Sequence, residues 1–135
     1  MITWKDAYKI GVEHIDEQHQ ELFRIAGKIY ELLRDDLSID KYDRILALIQ
    51  ELKDYTVFHF NSEEKYMQQA GYKKFLSHKV EHDDFIAKIN DLDLEKIDFQ
   101  QEQYIIDILD FVVKWIEHHI LHRDKLIIDS KNIVE

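Results

Sequence analysis

Four stretches of this chain repeat apolar residues at helical spacing, and in each of them histidine or a carboxylate interrupts the apolar face. The first begins near Asp16, a plausible N-cap, and runs to about Asp36, with Ile15, His19, Leu22, Ala26, Ile29 and Leu33 along one side. The second starts after Ser38 or Asp40 and carries Ile45, Leu48, Leu52, Tyr55, His59, Glu63 and Tyr66, with Gly71 suited to end it in a left-handed conformation. The third carries Phe75, His78, His82, Phe85, Ile89 and Leu92. The fourth, from about Phe99, carries Ile105, Ile108, Val112, Trp115, His119, His122 and Leu126. Burying an unpaired carboxylate is costly, and a buried imidazole must have its nitrogens satisfied. Five or more such groups at one level of a small core therefore need a shared partner, and a metal is the economical one.

These stretches define an all-α chain. It has no proline and only three glycines, Gly11, Gly27 and Gly71. A β-sandwich needs turn residues every roughly 8–12 positions, so that class is excluded. Short breaks at 36–39, 69–73 and 92–98 favour antiparallel neighbours. The expectation is an up-down-up-down four-helix bundle with helices at about 16–36, 40–69, 73–92 and 99–128. Residues 1–14 read as an irregular arm that Trp4, Tyr8 and Ile10 pack against the bundle, and the tail after Ile128 as frayed. With 135 residues and no linker or repeat, a single domain spanning 1–135 is expected.

Charge narrows the function classes. Eighteen basic against 28 acidic residues give a net charge of −10, so nucleic acid and anionic lipid are poor partners. No apolar run approaches the roughly 20 residues of a membrane span, and the opening twenty residues lack a secretory apolar core. A cytoplasmic location is the expectation. The absence of cysteine removes disulfides, thiolate ligands, iron–sulfur clusters and cysteine nucleophiles together. Eight histidines are the compositional oddity.

Their spacing carries the chemistry. His59 and Glu63 stand four apart, so both leave one helical face about 5–6 Å apart at Cβ, and His78 and His82 repeat that arrangement. His119 and Asp124 are five apart, roughly 140° around an ideal helix, yet a metal off the axis can receive both. His19 supplies the first helix. Imidazole with carboxylate points to iron or a similar transition metal rather than magnesium or calcium. Five imidazoles and two carboxylates exceed what one ion takes. Two six-coordinate ions sharing both carboxylates and one solvent-derived oxygen fill every position but one, which leaves room for a small ligand.

In this order, IDEQHQELF, HFNSEE, HKVEH and HHILHRDKL resemble the hemerythrin family, specifically its single-domain bacterial members. The likeness covers nearly the whole chain, including the arm ITWKDAYKIGV. The resemblance implies two non-haem irons bridged by an oxo or hydroxo group. In it His78, His82 and His119 complete one iron, His19 and His59 hold the other, and Glu63 and Asp124 bridge. It implies reversible binding of dioxygen, as carrier, store or sensor, with an oxygen-using enzyme or a reductant as possible partner. The alternative is a di-iron enzyme or stress protein reacting with peroxide, dioxygen or nitric oxide.

Other residues bear on that choice. Glu117 lies one heptad before Asp124, where the family's similar position is usually apolar; turned inward it would enter the vacancy and favour peroxide chemistry, whereas a solvated position beside Lys114 and Leu121 is the plainer reading. His14 and His118 read as surface residues, and His122 as a histidine at the core edge. Trp115, Phe23, Phe60 and Phe85 are candidates for an apolar wall, while Tyr55 and Tyr66 lie one turn from ligands and are expected to pack. Three rivals fit less well. Ferritin-like sites need Glu-x-x-His motifs, which are absent. The inverted zinc-protease string in HKVEH leaves His19, Glu63 and His119 unexplained and puts Glu81 on the outer face. A metal-free interaction module lacks an evident exposed apolar stripe. Metal and folding are expected to be coupled, so acid and chelators should destabilise the chain together.

Overall fold

The computed structural model describes residues 4–34, 41–91 and 102–127. Among the described residues four α-helices follow one another: α1 (Glu13–Arg34), α2 (Lys41–Ala70), α3 (Phe75–Asn90) and α4 (Glu102–His119). Among the described residues there is no strand. The expected helix limits at Asp36, Ser38 or Asp40, Leu92 and Phe99, the breaks at 36–39 and 92–98, and the tail after Ile128 lie outside the described residues.

The helices run up, down, up and down. On α1 and α4, His19 faces Asp124 while Tyr30 bonds Asp110, so one number rises as the other falls. On α3 and α4, His82 meets His119 and Phe85 meets Phe111. On α2 and α3, Glu63 meets His78 and Phe60 meets Phe85. The core between them is branched-aliphatic and aromatic, with Ile15, Leu22, Ile25 and Ile29 of α1 against Ile45, Ile49 and Leu52 of α2, Phe85 of α3, and Ile105, Leu109 and Val112 of α4. The histidine-bearing turns all fall toward one end of the bundle, the end where the arm lies.

Three local devices set the helix ends. α1 begins at Glu13, so Asp16 is not its N-cap. Asp16 is buried in the first turn and its carboxylate accepts from Ile10 N–H at 2.8 Å and Gly11 N–H at 3.2 Å, holding the arm at the positive end of the helix. α2 ends as its glycine predicts. Gly71 has φ +69°, its N–H donates to Gln68 O, and Tyr72 N–H donates to Met67 O, which closes the helix in a Schellman turn. α4 does not end at His119 but passes into a π turn over Ile120–Asp124. Lys125 N–H bonds Ile120 O, a reach of five residues in place of four.

The arm carries a short 3-10 turn, Asp6–Tyr8, and packs as expected. Tyr8 and Ile10 are buried and Trp4 half-buried. Tyr8 stacks on Phe23 at 5.3 Å and Trp4 meets both rings edge-on. No described helix is long and apolar enough to cross a membrane.

Candidate metal centre

The π turn solves the spacing problem of the fourth helix. Five residues on a regular α-helix would swing Asp124 well away from His119. The extra residue in the turn instead brings both inward, and both are buried. The same insertion shifts the register beyond it. Ile120 and Ile127 take the core positions, and Leu126 is exposed. His122, expected at the core edge, is exposed too and lies 4.4 Å from the ring of His118.

All seven residues picked out by spacing converge. His19, His59, Glu63, His78, His82, His119 and Asp124 are each at most 4% exposed. They form two groups of donor atoms, each contained within 4.8 Å, and the groups share Glu63 and Asp124. One holds His78, His82 and His119; the other holds His19 and His59. Glu63 turns Oε1 toward His78 at 2.7 Å and His82 at 3.2 Å, and Oε2 toward His59 at 3.2 Å and His19 at 3.6 Å. Asp124 turns Oδ1 toward His78 at 3.0 Å and His119 at 3.1 Å, and Oδ2 toward His19 at 3.2 Å. Each carboxylate thus gives one oxygen to each side.

Whether these groups suit cations is tested by what they lack. Glu63 Oε2, both Asp124 oxygens and both His19 nitrogens are buried with no aligned hydrogen bond. Leaving such an atom unsatisfied costs about 1–3 kcal/mol. On the other side the Nε2 atoms of His82 and His78 lie 3.0 and 2.9 Å from that of His119. Three ring nitrogens that close cannot all be satisfied by shared protons. The set is inward-pointing lone pairs around two points, which is what a pair of cations would satisfy.

Without cations, protons take part of that place. Burial opposes charging His19, but Asp124 and Glu63 outweigh it and push it up to about 9. The same contest, led by burial and won by Asp124 and Glu63, carries His119 up to about 10 and raises His78. His59 moves the other way, because burial and the charge on His19 outweigh Glu63. Burial would lift Glu63, yet its close contacts with His119, His19, His59 and His78 hold it well below the usual carboxylate range. Asp124 is likewise depressed, with burial and the Glu63 charge opposing and His119 and His19 prevailing.

An outer ring of partners escaped the sequence reading. His59 Nδ1 donates to Gln18 Oε1 at 2.8 Å, and His82 Nδ1 to Glu64 Oε2 at 3.1 Å. His119 Nδ1 lies 3.3 Å from Glu81 Oε2. Each of Gln18, Glu64 and Glu81 sits next in sequence to a ligand-type residue of its own helix but serves the histidine of the following helix. The flanking side alternates, before His19, after Glu63 and before His82, because antiparallel helices need opposite steps to turn the same way around the bundle. That adjacency was the available signal. Glu81, placed on the outer face by the sequence, is instead half-buried against α4.

The remaining candidates divide. Glu117 does not turn inward: it is exposed and accepts a hydrogen bond from Tyr8 Oη at 3.1 Å. Phe60 stacks on His82 at 3.8 Å, Trp115 on His119 at 4.5 Å and Phe85 on Trp115 at 4.0 Å, so three of the four aromatic candidates form one wall behind the three-histidine group. Phe23 belongs to the arm's cluster with Tyr8 and Trp4. His14 and His118 are exposed. Tyr55 packs by Phe58 and Tyr66 by His14.

An antiparallel helical bundle enclosing a shared histidine–carboxylate centre defines a class of cation-binding protein, and the comparisons name it. The family model for the hemerythrin HHE cation binding domain matches residues 10–129. A bacteriohemerythrin of Clostridium acetobutylicum is 49% identical over 96% of this chain and 100% of its own length. Another, from Methylococcus capsulatus, is 33% identical over 93% of each chain. A crystal structure of wild-type hemerythrin superposes with a TM-score of 0.75 at 30% identity, covering 93% of this chain and 94% of that one. The chain belongs to the hemerythrin family of non-haem di-iron, oxygen-binding proteins.

Proposed function

We propose that this chain binds dioxygen reversibly at two irons held by His78, His82 and His119 on one side and His19 and His59 on the other. Glu63 and Asp124 would bridge them together with an oxo or hydroxo group. One observation carries the reading: each of these two carboxylates directs one oxygen to each histidine group. Iron bound there would lend electron density to dioxygen on binding and recover it on release. The chain's own part is to hold and to exclude. Its five imidazoles meet the two carboxylates through Nε2, and the group with two of them offers the fewer protein donors, so that flank is left for a small ligand. Phe60, Phe85 and Trp115 pack the opposite flank, where they stack on His82 and His119 and keep water from the three-histidine side of the cluster.

Glu117 is the sequence feature that separates turnover of peroxide, dioxygen or nitric oxide from binding. With that carboxylate exposed and bonded to Tyr8, reversible binding is the better supported reading. A cytoplasmic location belongs to the same proposal, and cell fractionation checks it. The central test is metal analysis with an optical spectrum of the reduced protein in air. Two irons per chain and charge-transfer bands that vanish under vacuum are expected; a single iron, or one-way conversion to the diferric form, overturns the reading.

A further inference from the structure

The two histidine groups differ in what stands behind them. On the three-histidine side, Glu64 faces His82 Nδ1 and Glu81 faces His119 Nδ1, each through Oε2. The other oxygen of each is engaged by a cation, Glu64 Oε1 by Lys79 at 3.6 Å and Glu81 Oε1 by Arg123 at 2.8 Å. These cations hold each carboxylate in place and leave its negative end against the imidazole. On the two-histidine side, the acceptor at His59 Nδ1 is the neutral amide of Gln18, and His19 Nδ1 has no partner. The residue after His119, where the ring of flanking partners would close back onto α1, is Ile120, whose side chain has no polar atom.

A carboxylate that accepts from the outer N–H of a ligand histidine makes the ring a stronger electron donor at its other nitrogen, and a neutral amide does so far less. We infer that Gln18, Glu64 and Glu81 are positioning residues that make the two metal positions electronically unequal, with the stronger donor set on the three-histidine side. The inference rests on the proposed di-iron reading. Its consequence is a division of labour: the position richer in imidazole favours the higher-charged ion, while the position left for a small ligand stays the weaker donor set and binds that ligand more labilely.

Iron-loaded full-length variants test it by spectroelectrochemical titration, with iron content measured on the same samples. Glu81→Gln and Glu64→Gln keep an acceptor but remove the charge, and both should move the midpoint potential upward while two irons per chain remain. Gln18→Glu adds a charge at the two-histidine side and should move it downward. Asp84→Asn removes an exposed charge two residues from His82 and should leave it unmoved. Glu81 is only half-buried, so its substitution reads out even where one at buried Gln18 impairs folding. An unshifted potential in Glu81→Gln, or a shift in Asp84→Asn as large as in Glu64→Gln, overturns the inference while the di-iron reading stands. A wild-type chain that takes up no pair of irons overturns both.

Discussion

At the scale of the residue, a carboxylate in this centre is worth more than its own charge, because it is shared. Glu63 is within ion-pair distance of all five histidines and fully buried. Glu63→Gln removes the anion that both sides use, so iron content should fall below two per chain while far-UV circular dichroism keeps its helical signature. Retention of two irons would show that sharing is not required. Phe85 makes a separate case. It is wholly buried and stacked on Trp115, so Phe85→Ala should cost about 3–5 kcal/mol in urea unfolding by leaving a cavity beside the site's aromatic wall. Six of the seven inward residues were legible because ligand chemistry and helical period coincide at each of them, whereas Asp124 stands off that period and the π turn brings it in. Gln18, Glu64 and Glu81 were not, since each points sideways at a neighbouring helix, and period within one helix says nothing of which neighbour it meets. Glu117 was ambiguous for the same reason, and the arm's Tyr8 decided it.

At the scale of the element, the sequence revealed the helices more surely than the irregularities that tune them. Four apolar stripes sufficed for the bundle. The π turn was visible only as an awkward five-residue step, and its effect on His122 and Leu126 followed from a register change that ideal helix geometry does not contain. Asp16 misled as an N-cap because a first-turn carboxylate can reach back to the preceding N–H groups as well as cap its own turn. Two glycines show how position decides the sign of one substitution. Gly71 holds φ +69°, and a side chain in that conformation costs about 1–2 kcal/mol, so Gly71→Ala should lower stability by that order. Gly27 lies inside α1 with open space where a Cβ would go, so Gly27→Ala should raise stability by roughly 0.5–1 kcal/mol. Paired denaturation curves check both, and effects of the same sign would refute the argument.

At the scale of the whole molecule, protons and metal compete for one buried cluster, and the two forms of the protein should answer to pH in opposite ways. In the metal-free chain His19 and His119 are held up to about 9 and about 10, against roughly 6.5 in an unfolded chain. A raised pKa contributes stability that is complete below the unfolded value and is lost as pH climbs through the folded one. The metal-free protein should therefore weaken between about pH 6.5 and 10. Glu63 and Asp124, being depressed, contribute stability that is present above their unfolded values near 4 and is lost as pH falls below them. Metal requires the opposite state of the histidines, because Nε2 must give up its proton to coordinate. Iron binding near neutral pH should release protons from His19 and His119, with the raised His78 and the solvent-derived bridge adding to them, and apparent affinity should rise with pH until those groups are neutral. The gap between the melting temperatures of iron-loaded and chelated protein should thus widen from pH 6 to pH 9, with the chelated form falling. A gap that stays constant across that range would mean that the imidazoles are already neutral in the empty cluster, and that the two carboxylates are balanced by something other than the protons they face.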